Sequence, residues 1–328
     1  MRKFFVAALF VLALLTSPLG LYAADGDQWP PKRFEIILPH DVGSTQDSTT
    51  RIIGKYWSKY WPDTQITYVS KGQSGGRLAF DQFAESPHDG STILSSNFQT
   101  TAVFYAQQKP DWKWEEVIYP IDTYDVDMTI VQVREDSPIK SFKDLIELAK
   151  TKTLTAGVAR WGTTDTLLLY QIMDLTGAQF EVIPLGTGGA ARAALLGGHV
   201  DFCMRRTSDL KLDGGQIKVL AINAESNPLE YLTGKVPTVS EVVGAQVLEA
   251  GGYRTISVHP DLKTKYPDRY KDIVDILAKI KADPEFLEEA KKAGCELIES
   301  TTPEQLNGMT QVIFQAFAKY EDAYRSRQ

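Results

Sequence analysis

Short apolar runs and amphipathic segments alternate along most of the chain. Runs such as FEIIL (34–38), DMTIVQV (127–133) and FEVIPL (180–185) are rich in β-branched and aromatic residues, which predicts strands. Between such runs, apolar residues recur every three or four positions and predict amphipathic helices, as in TTRIIGKYWSKYW (49–61). The alternation of the two patterns indicates an α/β protein built from mostly parallel sheets flanked by helices.

The amino terminus predicts export. A basic pair, Arg2 and Lys3, precedes an apolar run over residues 4–15, and small residues follow around Ala23. We expect residues 1–23 to be a signal peptide that is cleaved near Ala23. No later stretch approaches the roughly 20 apolar residues that a membrane helix needs. Because no cysteine lies near the cleavage region to carry a lipid, we expect no direct membrane anchor.

Charge narrows the range of partners. The formal charge of −7 becomes −9 once Arg2 and Lys3 are removed with the signal peptide. A chain with this charge is a poor match for nucleic acid or for an anionic membrane, so neither is expected as a partner. Because the net charge is negative, an anion can be attracted only by regions of positive electrostatic potential within the protein.

Cysteine and histidine placement predicts no disulfide, metal or cofactor. Cys203 and Cys295 lie in or beside apolar strand-like runs, which favours buried free thiols over a disulfide. The four histidines are isolated, and the sequence contains neither H-E-x-x-H nor a calcium loop. It also lacks a Gly-Lys-Ser/Thr phosphate loop and the G-x-G-x-x-G dinucleotide motif.

Two predicted strand–turn–helix junctions carry hydroxyl and acidic residues where a helix begins. The first is PHDVGSTQDSTTR (39–51), in which Ser44 and Asp47 can cap the helix. The second is GVARWGTTDTLLLY (157–170), with its turn at Gly162. First-turn amides are unpaired donors with partial positive charge, so each junction can hold a carboxylate. Two such junctions can hold one anion from both sides of a cleft; alternatively, each turn only caps its own helix.

A nucleophile motif leaves a second function open. GQSGG (72–76) matches the G-x-S-x-G elbow of serine hydrolases and lies between a predicted strand and a predicted helix. A secreted serine hydrolase using Ser74 is therefore an alternative, with Asp201 and His259 as the acid and base that follow it in the chain. Only one predicted strand precedes the motif in the mature chain, whereas such enzymes place the elbow deeper in the sheet.

The order of the motifs resembles the Bug-type periplasmic receptors of tripartite tricarboxylate transporters. The resemblance covers nearly the whole mature chain, although no single motif is long. Its first part rests on Pro39, Gly43, Asp47, Arg51, Gly75, Gly76, Pro87, Asp89, Gly90 and Thr92. Its second part rests on SPIKSFKDLIELAK, the Gly162–Thr163 turn, VIPL, ALLGGHVDF, GQIKVLAI and VPTVSE.

This resemblance implies a two-domain, clam-like periplasmic binding protein of type II-like architecture that performs no chemistry. Such a receptor is a monomer that captures a small carboxylate in the periplasm and delivers it to a membrane permease. Domain one is expected to comprise 25–122 plus 226–328 and domain two 123–225, with strands crossing between them and the ligand cleft in between. A long helix over 302–327 is expected to pack on one domain. A binding domain that feeds a sensor protein is a further possibility.

In the family, the loop after the first strand and a helix-opening loop of the second domain hold one ligand carboxylate. The chain departs from the family pattern with Ser44 in place of a second glycine, Gln46 in place of threonine and Leu185-Gly186 in place of Tyr-Lys. Arg160, Trp161 and Arg205 suggest a dicarboxylate, because a guanidinium can bind a second carboxylate; alternatively, Trp161 fills core space between helices and the arginines are solvated surface charges. The predicted ligand-binding residues are Ser44, Thr45, Gln46, Asp47, Gly75, Gly76, Arg160, Trp161, Gly162, Thr163, Thr164, Asp165 and Arg205.

Overall fold

The computed structural model describes residues 28–212, 214–293, 295 and 301–325. The predicted signal peptide lies outside these residues. Within them the chain forms ten strands and thirteen α-helices. The strands are β1 (Arg33–Leu38), β2 (Gln65–Ser70), β3 (Thr92–Asn97), β4 (Tyr119–Asp127), β5 (Thr129–Arg134), β6 (Leu154–Val158), β7 (Phe180–Pro184), β8 (Phe202–Arg206), β9 (Ile217–Asn223) and β10 (Gly252–Val258). The helices are α1 (Thr45–Tyr60), α2 (Arg77–Ala84), α3 (Phe98–Gln108), α4 (Trp114–Val117), α5 (Phe142–Ala149), α6 (Thr164–Thr176), α7 (Gly188–Leu196), α8 (Glu230–Thr233), α9 (Val239–Val243), α10 (Leu262–Lys265), α11 (Pro267–Ala282), α12 (Pro284–Lys292) and α13 (Pro303–Arg325).

The strands form two five-stranded sheets. The first has the order β2-β1-β3-β10-β4 and the second the order β7-β6-β8-β5-β9. In the first sheet β1 runs parallel to β2 and β3, whereas β10 is antiparallel to β3 and β4. In the second, β6 runs parallel to β7 and β8, whereas β5 is antiparallel to β8 and β9. The predicted two-domain α/β fold is confirmed, and both sheets are mixed because a strand that returns from the other unit inserts in reverse direction.

The chain crosses twice between the sheets. It leaves the first sheet at Asp127, the end of β4, and enters the second at Thr129, the start of β5. It leaves the second sheet at Asn223 and re-enters the first in β10 at Gly252. We call the part built on the first sheet the first unit and the part built on the second sheet the second unit. Two crossings place a hinge between the units, which is the arrangement that a cleft requires.

Helix α1 is fixed on the first sheet by the apolar face that its sequence pattern predicts. Ile53, Tyr56 and Trp57 on this face are buried. The ring centroids of Trp57 and Phe34 on β1 lie 4.9 Å apart. Each such buried side chain contributes roughly 1.5–3 kcal/mol of transfer free energy, so the helix is held firmly against β1. Its amino terminus therefore has a fixed position at the carboxyl end of that strand.

The carboxy-terminal helix α13 contacts both units, which differs from the expectation that it packs on one. Phe314 lies against Tyr105 of α3, with 5.4 Å between ring centroids. At the far end of α13, Tyr320 stacks on Tyr170 of α6 at 6.2 Å. Lys319 also forms an ion pair with Asp174 of α6 at 2.5 Å. The 23 residues of α13 are long enough to reach from one unit to the other.

Neither cysteine is paired, as predicted. Cys203 on β8 and Cys295 are both buried and free. Cys203 donates to the carbonyl oxygen of Ala191, with 3.3 Å between sulfur and oxygen. Burial raises the pKa of the Cys203 thiol to about 12. Among the helices that the structure describes, none combines the length and the apolar character needed to cross a membrane.

Candidate functional site

The turn between β1 and α1 is organised by Asp47. Ser44 caps α1 by accepting from the Asp47 amide at 3.2 Å, and the Asp47 carboxylate accepts from the Gly43 amide at 3.0 Å. Ser70 and Arg51 donate to the same carboxylate at 2.9 and 3.0 Å. Burial alone raises the pKa of Asp47, but hydrogen bonds from Arg51, Gly43 and Ser70 bring it below its usual value. Asp47 thus holds the turn in shape, with its side chain committed to the protein.

Gln46 points away from the turn. Its side chain is buried and donates to the Tyr124 hydroxyl at 2.8 Å and to the Ser95 hydroxyl at 3.1 Å. Where the family usually has threonine, this chain has a glutamine whose side chain bonds to residues of the first unit. Thr45, its neighbour, is the first residue of α1. Any contact from position 46 to a ligand would therefore use the main chain.

The glycine turn before α2 lies directly against the first turn. Gly75 and Gly76 both have positive φ, +66° and +79°. A Cβ on Gly76 would stand 2.4 Å from the Cβ of Pro39, so no other residue fits there without moving the β1–α1 turn. Ser74 lies in the 3₁₀ turn Gln73–Gly76. This second turn supports the first and lines the same end of the sheet.

At the turn between β6 and α6, the N-cap side chain does not accept a hydrogen bond from the first-turn amides of α6. Thr163 is the N-cap of α6, yet its hydroxyl donates back to the Arg160 carbonyl at 3.3 Å and makes no cap bond. The hydroxyl of Thr164, the first helical residue, is buried without a hydrogen-bond partner in the described part of the chain. Asp165 accepts from the Thr129 hydroxyl at 2.7 Å. These are the features of a helix terminus that can accept an anion.

The structure reassigns the arginine at the end of β8. Successive strand residues point to opposite faces, so Arg205 and Arg206 cannot both face α6. Arg205 is buried and donates to Gln132 at 3.1 Å, away from the α6 terminus where it was expected. Arg206 instead pairs with Asp165 at 3.0 Å and donates to the Ala250 carbonyl at 2.9 Å. Of the two arginines that end this strand, Arg206 and not Arg205 therefore contacts α6.

Arg160 and Trp161 precede the turn between β6 and α6 in different environments. Arg160 is exposed, and no ion pair of its guanidinium occurs among the described residues. Trp161 is half-buried, with its ring edge-on to Tyr170 of α6 at 6.1 Å. Arg160 is thus exposed to solvent, whereas Trp161 packs against α6 and supports the turn.

The turns of the two units lie close together. The positive charges of Arg160 in the second unit and Arg254 in the first act on His40, which follows β1. Burial, reinforced by these two positive charges, lowers the pKa of His40 to about 3, so its imidazole is neutral. Gln107 of α3 in the first unit donates to the Gly162 carbonyl of the second at 3.1 Å. Sequence reasoning missed His40, Gln107 and Arg254, because contacts between segments that are distant in the chain leave no local pattern.

Asp127 connects the end of β4 in the first unit to the segment after β8 in the second. Its carboxylate accepts from the Ser208 amide at 2.9 Å and from the Ser208 hydroxyl at 2.7 Å. Arg254, on β10, lies 3.4 Å from the same carboxylate and also pairs with Asp125. Burial raises the pKa of Asp127. The buried cation on β10 is therefore already neutralised by protein carboxylates, unlike Arg160 at the rim.

The residues suggested for hydrolysis do not come together. Asp201 accepts from the Thr155 amide at 2.7 Å in the second unit. His259 lies in the first unit, 3.1 Å from the Ser86 hydroxyl and stacked on His88 with 3.7 Å between ring centroids. Asp201 and His259 are thus not an acid–base pair. The part of the chain that the structure describes also holds no cluster of three or more potential metal ligands.

A cavity of about 740 Å³ lies elsewhere, between the segments around Met128 and Glu249 and helix α13. Its lining includes Met128, Glu249, Tyr253 and Met309 and none of the residues predicted to bind the ligand. The Tyr253 hydroxyl donates to Glu249 at 3.0 Å. Burial raises the pKa of Glu249.

Two mixed α/β sheets, each flanked by helices and joined by crossing segments, form the two-domain fold of a periplasmic binding protein. The chain belongs to the TctC family, the tripartite tricarboxylate transporter family receptors, whose family model matches residues 64–307. The family expected from the motif order is therefore confirmed.

Curated relatives agree with this assignment. A UPF0065 protein from the TAR-I ttuE-ttuC' intergenic region of Agrobacterium vitis is 25% identical over 244 residues, covering 71% of this chain and 68% of the relative. A UPF0065 protein from the gbd 5' region of Cupriavidus necator is 25% identical over 303 residues, covering 87% and 90%.

Solved structures share the fold. A TctC solute-binding protein from Polaromonas, solved without ligand, matches with a TM-score of 0.75 at 20% identity, over 92% of this chain and 100% of that one. A Rhodopseudomonas palustris protein solved with adipate matches with a TM-score of 0.64 at 18% identity, over 90% and 98%. MatC from the same organism, with bound malate, matches with a TM-score of 0.63 at 20% identity, over 90% and 99%.

Proposed function

We propose that the mature protein is a periplasmic receptor that binds a small carboxylate and delivers it, chemically unchanged, to the membrane permease of a tripartite tricarboxylate transporter. The observation that best supports this function is the closeness of the two units at the turn before α6, where Gln107 of the first unit donates to the Gly162 carbonyl of the second at 3.1 Å. Amide donors at the starts of α1 and α6 then border one space. A single carboxylate between them receives hydrogen bonds from both units.

The proposed cleft lies between a domain comprising 25–122 plus 226–328 and a domain comprising 123–225. Ser44, Thr163 and Thr164 supply the hydroxyls nearest to the amide donors. The unpartnered hydroxyl of Thr164 supports this assignment, because a buried donor without a partner costs about 1–3 kcal/mol unless a ligand or water satisfies it.

The ligand is proposed to be a dicarboxylate or a related acid with a polar far end. Arg160 is exposed beside the anion-holding turn, so its guanidinium can pair with a second carboxylate. Arg205 is withdrawn from this role because its guanidinium is buried against Gln132. The adipate and malate in the structures of two fold neighbours belong to the same chemical class.

Calorimetric titration with matched acids tests this proposal. Adipate is compared with hexanoate, and malate with 3-hydroxybutyrate, so that each pair differs by one carboxylate. We expect a dicarboxylate to bind more tightly than its matched monocarboxylate and Arg160→Ala to reduce that preference about ten- to a hundredfold. Mass spectrometry of small molecules released from the purified protein identifies a native ligand directly. Absence of binding by every acid, together with release of no carboxylate, would contradict the proposed function.

A further inference from the structure

The last turn of α3 touches both glycine turns of the site. Gln107 and Gln108 are the final two residues before Lys109, which ends α3 with a φ of +44°. The Gln107 amide donates to Gly162 in the second unit at 3.1 Å. The Gln108 amide faces the other way, such that a Cβ on Gly75 would stand 2.8 Å from its nitrogen. One helical turn of the first unit thus contacts the turns of both units.

Gly162 meets two requirements at this contact. Its φ of +82° lies in the left-handed region, which disfavours residues with side chains. A Cβ at this position would also stand 2.9 Å from the Gln107 amide nitrogen. Gly162 therefore allows both the turn conformation and the close approach of Gln107. The contact with Gln107 thus depends on the same glycine as the turn itself.

The contact fixes the orientation of a peptide unit. In a trans peptide the C=O and N–H groups point in opposite directions. A hydrogen bond that holds the Gly162 carbonyl toward α3 therefore turns the Thr163 N–H away from α3. Thr163 is the N-cap of α6, whose first-turn amides are the proposed anion donors.

We propose that Gln107 is a positioning residue for the anion-holding turn of the second unit. Its side-chain amide orients the Gly162–Thr163 peptide so that the amides at the start of α6 face the bound carboxylate. Because Gln107 belongs to the first unit, this orientation is complete only when the two units are close together. Gln107 therefore couples closure of the cleft to affinity. The role in affinity rests on the proposed function, whereas the role in orientation does not.

The orientation is tested on the ligand-free protein by nuclear magnetic resonance. Gln107→Met keeps the length of the side chain and removes the donor. We expect the Gly162 carbonyl carbon and the Thr163 amide nitrogen to shift, because both report hydrogen bonding to that carbonyl. Gln108→Met, the same change one residue further on, is the matched control and should leave the Gly162 carbonyl shift unchanged. Equal Gly162 shifts in the wild type and Gln107→Met would overturn the proposal.

The effect on binding is measured separately by titration with adipate and malate. Gln107→Met should weaken binding of whichever acid the wild type binds by about two- to tenfold, the range of one neutral hydrogen bond, mainly through faster dissociation. Gln107→Glu should weaken it further, because its carboxylate repels both the Gly162 carbonyl and the anion. Unchanged affinity in both variants would overturn the coupling. If the wild type binds neither acid, the ligand class of the proposed function fails, while the Gly162 shift still decides the role of Gln107.

Discussion

Asp47 and Arg51 form a two-point ion pair across one turn of α1, with both nitrogen–oxygen distances at 3.0 Å. The same carboxylate accepts from the Gly43 amide and the Ser70 hydroxyl. The pair therefore connects helix α1, the turn before it and the end of β2. Asp47 therefore has a structural role in the first turn of α1, in addition to its position near the candidate site.

Replacing Asp47 with alanine should lower the free energy of unfolding by about 1–3 kcal/mol, because the hydrogen bonds that its buried carboxylate accepts from Gly43, Ser70 and Arg51 are lost. Urea denaturation measures the change. Asp144→Ala is the matched control: Asp144 occupies the first turn of α5 but is exposed, so only its favourable position near the helix terminus is lost. Equal losses in the two variants would show that the network around Asp47 contributes nothing beyond helix capping.

The acid sensitivity of the fold should depend on His259. Burial, and then the neighbouring His88, lower the pKa of His259 from 6.5 to about 4. Asp261, which bonds to His88 at 2.9 Å, acts in the opposite direction. Because the folded protein disfavours the charged imidazole, the stabilisation is complete above pH 6.5 and is lost as the pH falls from 6.5 to 4. The loss amounts to at most about 3 kcal/mol.

Unfolding free energies measured by urea at several pH values between 7 and 4 test this expectation. His259→Phe keeps a ring for stacking on Phe83 and His88 but cannot be protonated, so its stability should fall less steeply with acidification. His199→Phe is the control at an exposed position and should keep the wild-type slope. A wild-type slope in His259→Phe would assign the acid sensitivity to other groups.

The thiols should be unreactive in the folded protein. Cys203 is fully buried and burial raises its pKa to about 12, while Cys295 is buried in the first unit. At neutral pH, neither cysteine should therefore react rapidly with a thiol reagent in the native protein. After unfolding without reductant, both cysteines should react. A count of zero after unfolding would reveal a disulfide and would contradict the free cysteines.

Local features of the fold were readable from the sequence, whereas contacts between units were not. The spacing of Ile53, Tyr56 and Trp57 predicted the buried face of α1, and Ser44 caps that helix as expected. The mostly parallel sheets were predicted, but not the single reversed strand in each, β10 in the first sheet and β5 in the second, because strand direction depends on the crossings of the chain. A strand pattern also does not reveal which face meets α6, so Arg205 was chosen where Arg206 makes the contact.

The same limit applies to the site. Position 46 departs from the family pattern, but only the structure reveals that its amide reaches Tyr124 inside the first unit. Gln107 carries no motif and lies 55 residues from Gly162, so its contact depends on how the two units meet. Such residues become visible only once the packing of distant segments is known.

Phe317 should be among the most important side chains of α13 for stability. It is 3% exposed and belongs to the core that contains residues of both units, whereas Val312 on the same helix is 45% exposed. Phe317→Ala should therefore cost about 3–5 kcal/mol, from lost apolar burial and the cavity left behind. Val312→Ala should cost within about 0.5 kcal/mol, as expected for a surface position. Urea denaturation of both variants, with denaturant slopes compared to the wild type, measures the difference. A loss in Phe317→Ala no larger than in Val312→Ala would mean that α13 is not packed into the core and does not join the units.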